Sequence, residues 1–471
     1  MNLGTSLHWV STKMRDKICL IEGNTRISYS DLWSRIELLA KAFLKIGIKE
    51  NDKIVILLPN CKEFIYSFYA LSRINLISVP LNLHLTSFEL KEIFDDCNPR
   101  GIITTALLYE RKISSVIGPD RIIIFIDDNP DIRRKNYSFK ELFKIGKDQN
   151  LPHFNTSNNQ IATINYTYRG TGRPLGAMLT HGNYHHGAIG YVRLTEIITK
   201  QCILLITPIS HIFTLVSCVI VPLLRGATVV ITKSFIPSHI FRVIEECGIN
   251  FIMAVPTIYI SLLRNYNKNR FDIRSLKYGI TGGNYLPPDI YRDIKDRMGI
   301  ELLQGYGLTE TMPITCNPRS KNRPDSLGVP GHEVKVKIVD GEILVGGPTV
   351  MRGYYDKDGE NREYLKNGWF STGDYGHIDG DGYIYFDGLK KEIAKVGGNN
   401  VDLKEVKRVL SSFQGVKAVE LCVLKNDLWG HQIHAKVEIN SKKEITKKSI
   451  QSFCSGRLAA YKIPRRIEIS K

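Results

Sequence analysis

A chain of 471 residues with a net charge of +17 is too long for one ordinary hydrophobic core and calls for two or more domains. Its 43% hydrophobic and 24% charged content excludes a disordered chain. No apolar run reaches the roughly eighteen residues of a membrane-spanning helix, and residues 1–16 lack the charged start and apolar stretch of a secretion signal.

The nine cysteines are odd in number and form no Cys-x-x-Cys pair, so the reading is reduced thiols in a cytoplasmic protein. Basic residues are spread along the chain. The local clusters Arg133-Arg134-Lys135 and Lys442-Lys443 read as solvated loops, and nucleic acid is not the expected partner. A diffuse positive field suits ATP, coenzyme A, an acidic carrier protein or an anionic membrane surface, and peripheral membrane contact is left open.

In chain order, Lys53-Ile-Val-Ile-Leu-Leu-Pro59 has the pattern of a buried strand, followed by a helix over Glu63 to Ile74. Gly101 to Thr105, Arg121 to Ile126 and Phe251 to Pro256 repeat the strand pattern between amphipathic stretches, which predicts α/β layers with parallel strands. The greasiest region, Ile203 to Ile231, is interrupted by Pro208, His211, Pro222 and Arg225, so it reads as buried strands and a helix. From Gly331 to Phe386 the character becomes β-rich, with strands at Val334, Glu342 and Gly382 separated by Asp-Gly turns. After Gly388 a short α+β unit follows: helix Lys404 to Phe413, strands from Ala418 and His434, and helix Lys447 to Leu458.

Three segments carry chemistry. In Tyr166-Thr-Tyr-Arg-Gly-Thr-Gly-Arg-Pro-Leu-Gly176, glycines let backbone N–H groups approach a phosphate and hydroxyls add donors. In Gln304-Gly-Tyr-Gly-Leu-Thr-Glu310, an aromatic ring can stack on a base, a hydroxyl can bond a phosphate, and a carboxylate can hold Mg²⁺. A glycine turn leading into a helix N-cap is the bland alternative. In Gly368-Trp-Phe-Ser-Thr-Gly-Asp374, a carboxylate can accept from two vicinal hydroxyls of a ribose.

Together these segments resemble the signatures of the adenylate-forming superfamily: acyl-CoA synthetases, aryl-CoA ligases, luciferases and peptide-synthetase adenylation domains. The resemblance runs from Arg26 to Glu468 and is nearest to the long-chain fatty acid–CoA ligase branch. It implies a large N-terminal domain of layered α/β subdomains plus a β-rich subdomain over residues 1–387. A small, mobile C-terminal α+β domain is expected over residues 388–471, without its last segment. It further implies activation of a medium- or long-chain fatty acid with ATP and Mg²⁺, then transfer to the thiol of CoA or of carrier-protein phosphopantetheine.

Carried over residue by residue, Thr167, Arg169, Gly170, Thr171 and Gly172 would form the phosphate loop. Gly283 and Asn284 would border adenine and acyl group, with Gly305, Tyr306, Gly307 and Thr309 on the nucleotide. Glu310 would hold Mg²⁺, Asp374 the ribose, and Lys391 would serve the hinge at residues 388–392. Gly397 and Gly398 would admit the pantetheine thiol, and His211 would border the carboxylate beside Thr309 and Glu310. His185 and His186 read as surface residues.

The departures from the pattern are specific. Tyr168, Arg169 and Leu175 stand where the family has Ser, Gly and a phosphate-facing Lys, and Arg169 is a candidate to restore the lost charge. Leu389 and Glu392 replace an Arg and an Asp, and the family's closing Gly-Lys segment is not reached. Three readings follow: a fatty acid–CoA ligase, a ligase loading an acyl carrier protein, or a catalytically reduced protein that holds adenylate.

Overall fold

Strands covered by helices on both faces read as continuous apolar runs, and the Ile- and Val-rich segments of this chain obey that rule. The computed structural model describes all residues except 1, 128–135, 148, 153, 155, 390–392, 427, 441–444 and 471. In it, Ile77–Pro80, Lys53–Ile56, Gly101–Thr104 and Ile122–Phe125 lie parallel in an eight-stranded sheet. A second sheet, of nine strands, runs parallel through Thr228–Ile231, Cys202–Leu205, Phe251–Ala254, Tyr278–Thr281 and Glu301–Leu308. The predicted break-up of residues 203–231 holds: a strand, a helical run from Ile212 to Leu224 with a π-helical stretch at Leu215–Ile220, then a strand.

Toward one side of each sheet the parallel order gives way to an antiparallel hairpin. Ile161–Thr167 pairs with Leu175–Thr180, and Glu301–Leu308 pairs with Thr311–Cys316. Two of the three motifs are the turns of these hairpins, so sheet geometry alone aims both loops. Local signals fix the flanking helices. Helix Ser87–Cys97 starts at a Thr86–Glu89 capping box, and helix His181–Thr195 at a Thr180–Asn183 box.

The β-rich stretch forms a five-stranded sheet built on Lys335–Val339, Glu342–Gly346, Trp369–Ile378 and Ile384–Leu389. Its first hairpin turns at Asp340-Gly341, both with positive φ (51° and 77°), the backbone that a two-residue turn of this hand requires. The bulge of Trp369–Ile378 sets Asp374 opposite Leu389.

Beyond it, a small β-rich C-terminal domain pairs Asn399–Asp402, Ile393–Val396, Gly430–Ile439, Val416–Asn426 and Arg466–Ser470. Helices Leu403–Ser411 and Lys447–Ser455 pack on it, and a separate core of Val401, Val406, Leu410, Val437 and Ile450 sits between them. Among the described residues no helix is long and apolar enough to cross a membrane.

Candidate nucleotide and acyl site

The phosphate loop leaves its strand at Thr167 and turns through Gly170 and Gly172, whose φ of 78° and 79° side chains resist. Leu175 does not face the loop. It pairs with Thr167 across the hairpin, and its side chain is 1% exposed within the main core, so the position where a phosphate-facing Lys was expected points inward here.

Arg169 also turns away from solvent. Its guanidinium reaches Glu310 Oε1 at 3.2 Å and donates to the carbonyls of Ser371 (2.9 Å) and Thr372 (2.6 Å). The rings of Tyr364 and Phe370 lie 5.0 and 4.9 Å from it. Burial opposes its charge, but Glu310, Tyr354 and Asp374 outweigh that and hold it protonated.

The second motif is a hairpin turn rather than a helix N-cap, since strand Thr311–Cys316 starts immediately after Glu310. The turn drives Glu310 inward to 1% exposure, where the Tyr354 hydroxyl donates to Oε1 at 2.6 Å. A hard divalent cation needs several free oxygen ligands around it. The Mg²⁺ expected on Glu310 would meet a carboxylate whose charge is already paired with a guanidinium and whose Oε1 also accepts from a phenol, so Arg169 competes with a metal for it. Among the described residues, no three His, Cys, Asp or Glu side chains gather as a metal cluster.

Tyr306 lines the cavity with its ring and donates its hydroxyl to Asp374 Oδ2 at 2.6 Å. Burial first and then Asp374 keep that phenol un-ionised. Asp374, 4% exposed, faces a small cavity of about 20 Å³ shared with Thr167, Arg169, Glu310, Leu389 and Asn400.

A much larger cavity, about 800 Å³, runs past these groups. Its walls include His211, Phe213, Gly283, Gly307, Thr309 and Tyr191. Phe213, Tyr191, Leu308 and Met312 make that lining apolar, and the Tyr191 hydroxyl meets the Met312 sulfur at 3.3 Å. His211 Nε2 lies 3.2 Å from Asn82 Nδ2, and burial lowers its pKa to about 4, so near neutrality it is an uncharged imidazole.

The cavity's other side is closed by the turn at Gly397-Gly398, between strands Ile393–Val396 and Asn399–Asp402. A Cβ on Gly398 would lie 2.8 Å from Val255 Cγ1, so only glycine lets this turn sit there. Asn284 abuts Gly430 of the small domain.

Several residues at this junction carried no recognisable signal beforehand. The Gly172 N–H donates to Asp402 Oδ2 at 2.8 Å, while Oδ1 caps helix Leu403–Ser411 through Lys404 N at 2.8 Å. Lys462, fully buried, is held by Glu89 Oε1 (2.6 Å) and Glu405 Oε2 (2.8 Å), with the Tyr168 ring 3.8 Å from its Nζ. Neither Asp402 nor Tyr354 belongs to a recognised motif. Thr171 bonds Arg173 O within the loop (2.9 Å). His186 pairs with Glu333 at 2.8 Å, half exposed, away from the site. Lys391, with the rest of 390–392, lies outside the described residues, as do Arg133-Arg134-Lys135, Lys442-Lys443 and Lys471.

Two glycine-bearing hairpin turns, the buried carboxylate of Asp374 and an apolar cavity meet at the small domain, in the arrangement expected of an adenylate-forming enzyme. The chain belongs to the AMP-binding enzyme family, whose model matches residues 7–355. It is 27% identical to a feruloyl-CoA synthase of Amycolatopsis sp, over 95% of this chain and 91% of that one. It is also 27% identical to a long-chain-fatty-acid–CoA ligase of Bacillus subtilis (strain 168), over 98% of this chain and 90% of that one. Among solved structures, a double mutant of o-succinylbenzoate CoA synthetase (MenE) from Bacillus subtilis, bound with a product analogue, superposes with a TM-score of 0.87. It covers 99% of this chain and 94% of its own at 24% identity, a likeness of fold.

Proposed function

We propose that this protein joins an apolar carboxylic acid, foremost a fatty acid, to the thiol of CoA through an acyl-adenylate. The observation that carries this reading is the continuity of the large cavity, from the apolar wall at Tyr191 and Met312, past Tyr306 and Thr309, to the glycine turn at Gly397-Gly398.

In the first half-reaction a carboxylate oxygen bonds to the α-phosphorus of ATP and the bond to pyrophosphate breaks. In the second, sulfur bonds to the acyl carbon, AMP leaves, and the thiol proton passes to water. Both depend on holding the reacting atoms in line and on spreading charge.

Asp374 accepts from the ribose, and the Tyr306 hydroxyl fixes that carboxylate's orientation. Thr309, at the cavity wall, donates to the phosphate. His211 is uncharged, so it borders the acid's carboxylate as a hydrogen-bonding group rather than a counter-ion. Val255 and Gly398 line the thiol's approach, and carrier-protein pantetheine presents the same thiol as CoA. On this reading the small domain changes position between the two steps. Phe213, Leu308 and Met312 line the cavity with Tyr191, which supports an alkyl or aryl tail.

A second reading rests on the closed Arg169–Glu310 pair: a protein that keeps adenylate but makes it slowly. Pyrophosphate exchange with ATP, run with fatty acids of graded length and one aryl acid, followed by detection of the CoA thioester, separates the two. Acid-dependent exchange with a chain-length optimum supports the ligase and names the acid. Absence of exchange with every acid, alongside retained AMP binding, supports the second reading.

A further inference from the structure

A buried carboxylate that the family pattern would give to a metal has, in this chain, a cation of its own. Glu310 and Arg169 are 1% and 5% exposed, 3.2 Å apart, and belong to the turns of two different hairpins. Three features make Arg169 more than a structural partner.

The guanidinium is immobilised on every side that the structure satisfies: Glu310 on Nη1, the carbonyls of Ser371 and Thr372 on Nη2, and two aromatic rings within 5.0 Å. Its Nε–H, by contrast, is buried and has no hydrogen-bond partner. A buried charged donor left unpaired costs free energy unless a ligand completes it. Arg169 also lines the same small cavity as Asp374 and Thr167. An unpaired cationic donor in the cavity that Asp374 faces suits the half of a mononucleotide site that meets the phosphate.

We infer that Arg169 is the resident cation of this site, clamped on Glu310 in place of a divalent metal and presenting its free Nε–H to the phosphate of a bound adenylate. This rests on the adenylate reading and deepens it: the pocket is built for a nucleoside monophosphate ester held without a metal at Glu310. It also accounts for the two replaced positions together, because a fixed guanidinium on the loop supplies the charge that Leu175, buried in the core, does not. Arg rather than Lys suits the role, since a planar fork can hold a carboxylate and two carbonyls while keeping one N–H free.

The test uses the full chain, AMP as ligand and Mn²⁺ as metal probe. Calorimetric titration with AMP is run in EDTA and in Mg²⁺, and uptake of Mn²⁺ in the presence of AMP is followed by its aqueous EPR signal. The wild type is expected to bind AMP equally in both buffers and to take up no Mn²⁺. Removing Arg169 alone leaves Glu310 buried and unpaired and risks the fold, so the second variant is R169M/E310Q, which removes both charges together. It is expected to remain folded and to bind AMP at least tenfold more weakly.

Mn²⁺ uptake by the wild type that E310Q abolishes would overturn the inference, as would wild-type AMP affinity in the double variant. Either result leaves the ligase reading standing. Failure of the wild type to bind AMP at all would remove both.

Discussion

The two hairpin turns that face each other across the nucleotide site differ in what they have kept. Gly305 to Glu310 retains every residue of its motif, yet its key side chains are already engaged, Tyr306 on Asp374 and Glu310 on Arg169 and Tyr354. The phosphate loop has lost three motif residues, and what replaced them is buried: Tyr168 at 8%, Arg169 at 5%, Leu175 at 1%. An intact motif therefore does not guarantee free side chains, and an altered one does not mean an abandoned site. The chemistry of each turn is set by its partner across the gap.

Cutting the link between the turns should have the largest effect. Glu310→Ala leaves a buried guanidinium without its counter-ion and is expected to lose about 3–5 kcal/mol of stability by chemical denaturation. A loss under about 1 kcal/mol, the size of a surface pair, would show that the two turns stand independently.

Leu175→Lys, which restores the family's residue at that position, should instead cost roughly 3 kcal/mol, because the new ammonium is carried into the core. Higher exchange activity without loss of stability would mean that residue 175 reaches the loop after all. Asp374→Asn tests the intact side alone. It should weaken AMP by about tenfold to a hundredfold, the worth of a charge-assisted bond, with the melting temperature held.

A smaller effect comes from the seam where the small domain docks. Burial first and Glu89 next raise Glu405 to about 7, with Lys462 only partly countering them. Two buried carboxylates share one lysine whose own charge is secure, and Tyr168, Tyr461 and Asp402 stand around them. A carboxyl raised from 4.5 to about 7 binds more protons folded than unfolded between those values. Stability must therefore fall as pH rises through that window. Thermal melting should be lower at pH 8 than at pH 5, and Glu405→Gln should flatten the difference. A flat wild-type profile would count against the shared proton. The smallest expected effect is that of Asp402→Asn, which keeps a good helix cap and should tighten ATP binding a few-fold at unchanged stability, as titration would show.

Much of the fold could be read from local pattern. The apolar runs at Lys53, Gly101 and Phe251 became parallel strands, and the Asp340-Gly341 turn closed a hairpin as its chemistry requires. Motif positions were legible for the same reason, because glycine and hydroxyl spacing is a local property. Partnership was not. Arg169 meets a residue 141 positions away and Gly172 one 230 positions away, and no local rule encodes such a pairing. Leu175 takes the core face because strand register, which sets it opposite Thr167 across the hairpin, decides which face a side chain takes.

On the ligase reading, the bond from Gly172 to Asp402 ties the small domain to the occupancy of the phosphate loop. While docked, the protein fills part of its own phosphate loop with its own carboxylate, and so acts as an intramolecular competitor of the triphosphate. The apparent affinity for ATP is then the intrinsic one multiplied by the fraction of time the loop stands vacant. Whatever loosens the seam at Glu89, Glu405 and Lys462 increases that fraction. On the ligase reading, ATP and pyrophosphate meet the same tethered rival, so the carboxylate lowers the loop's affinity for both.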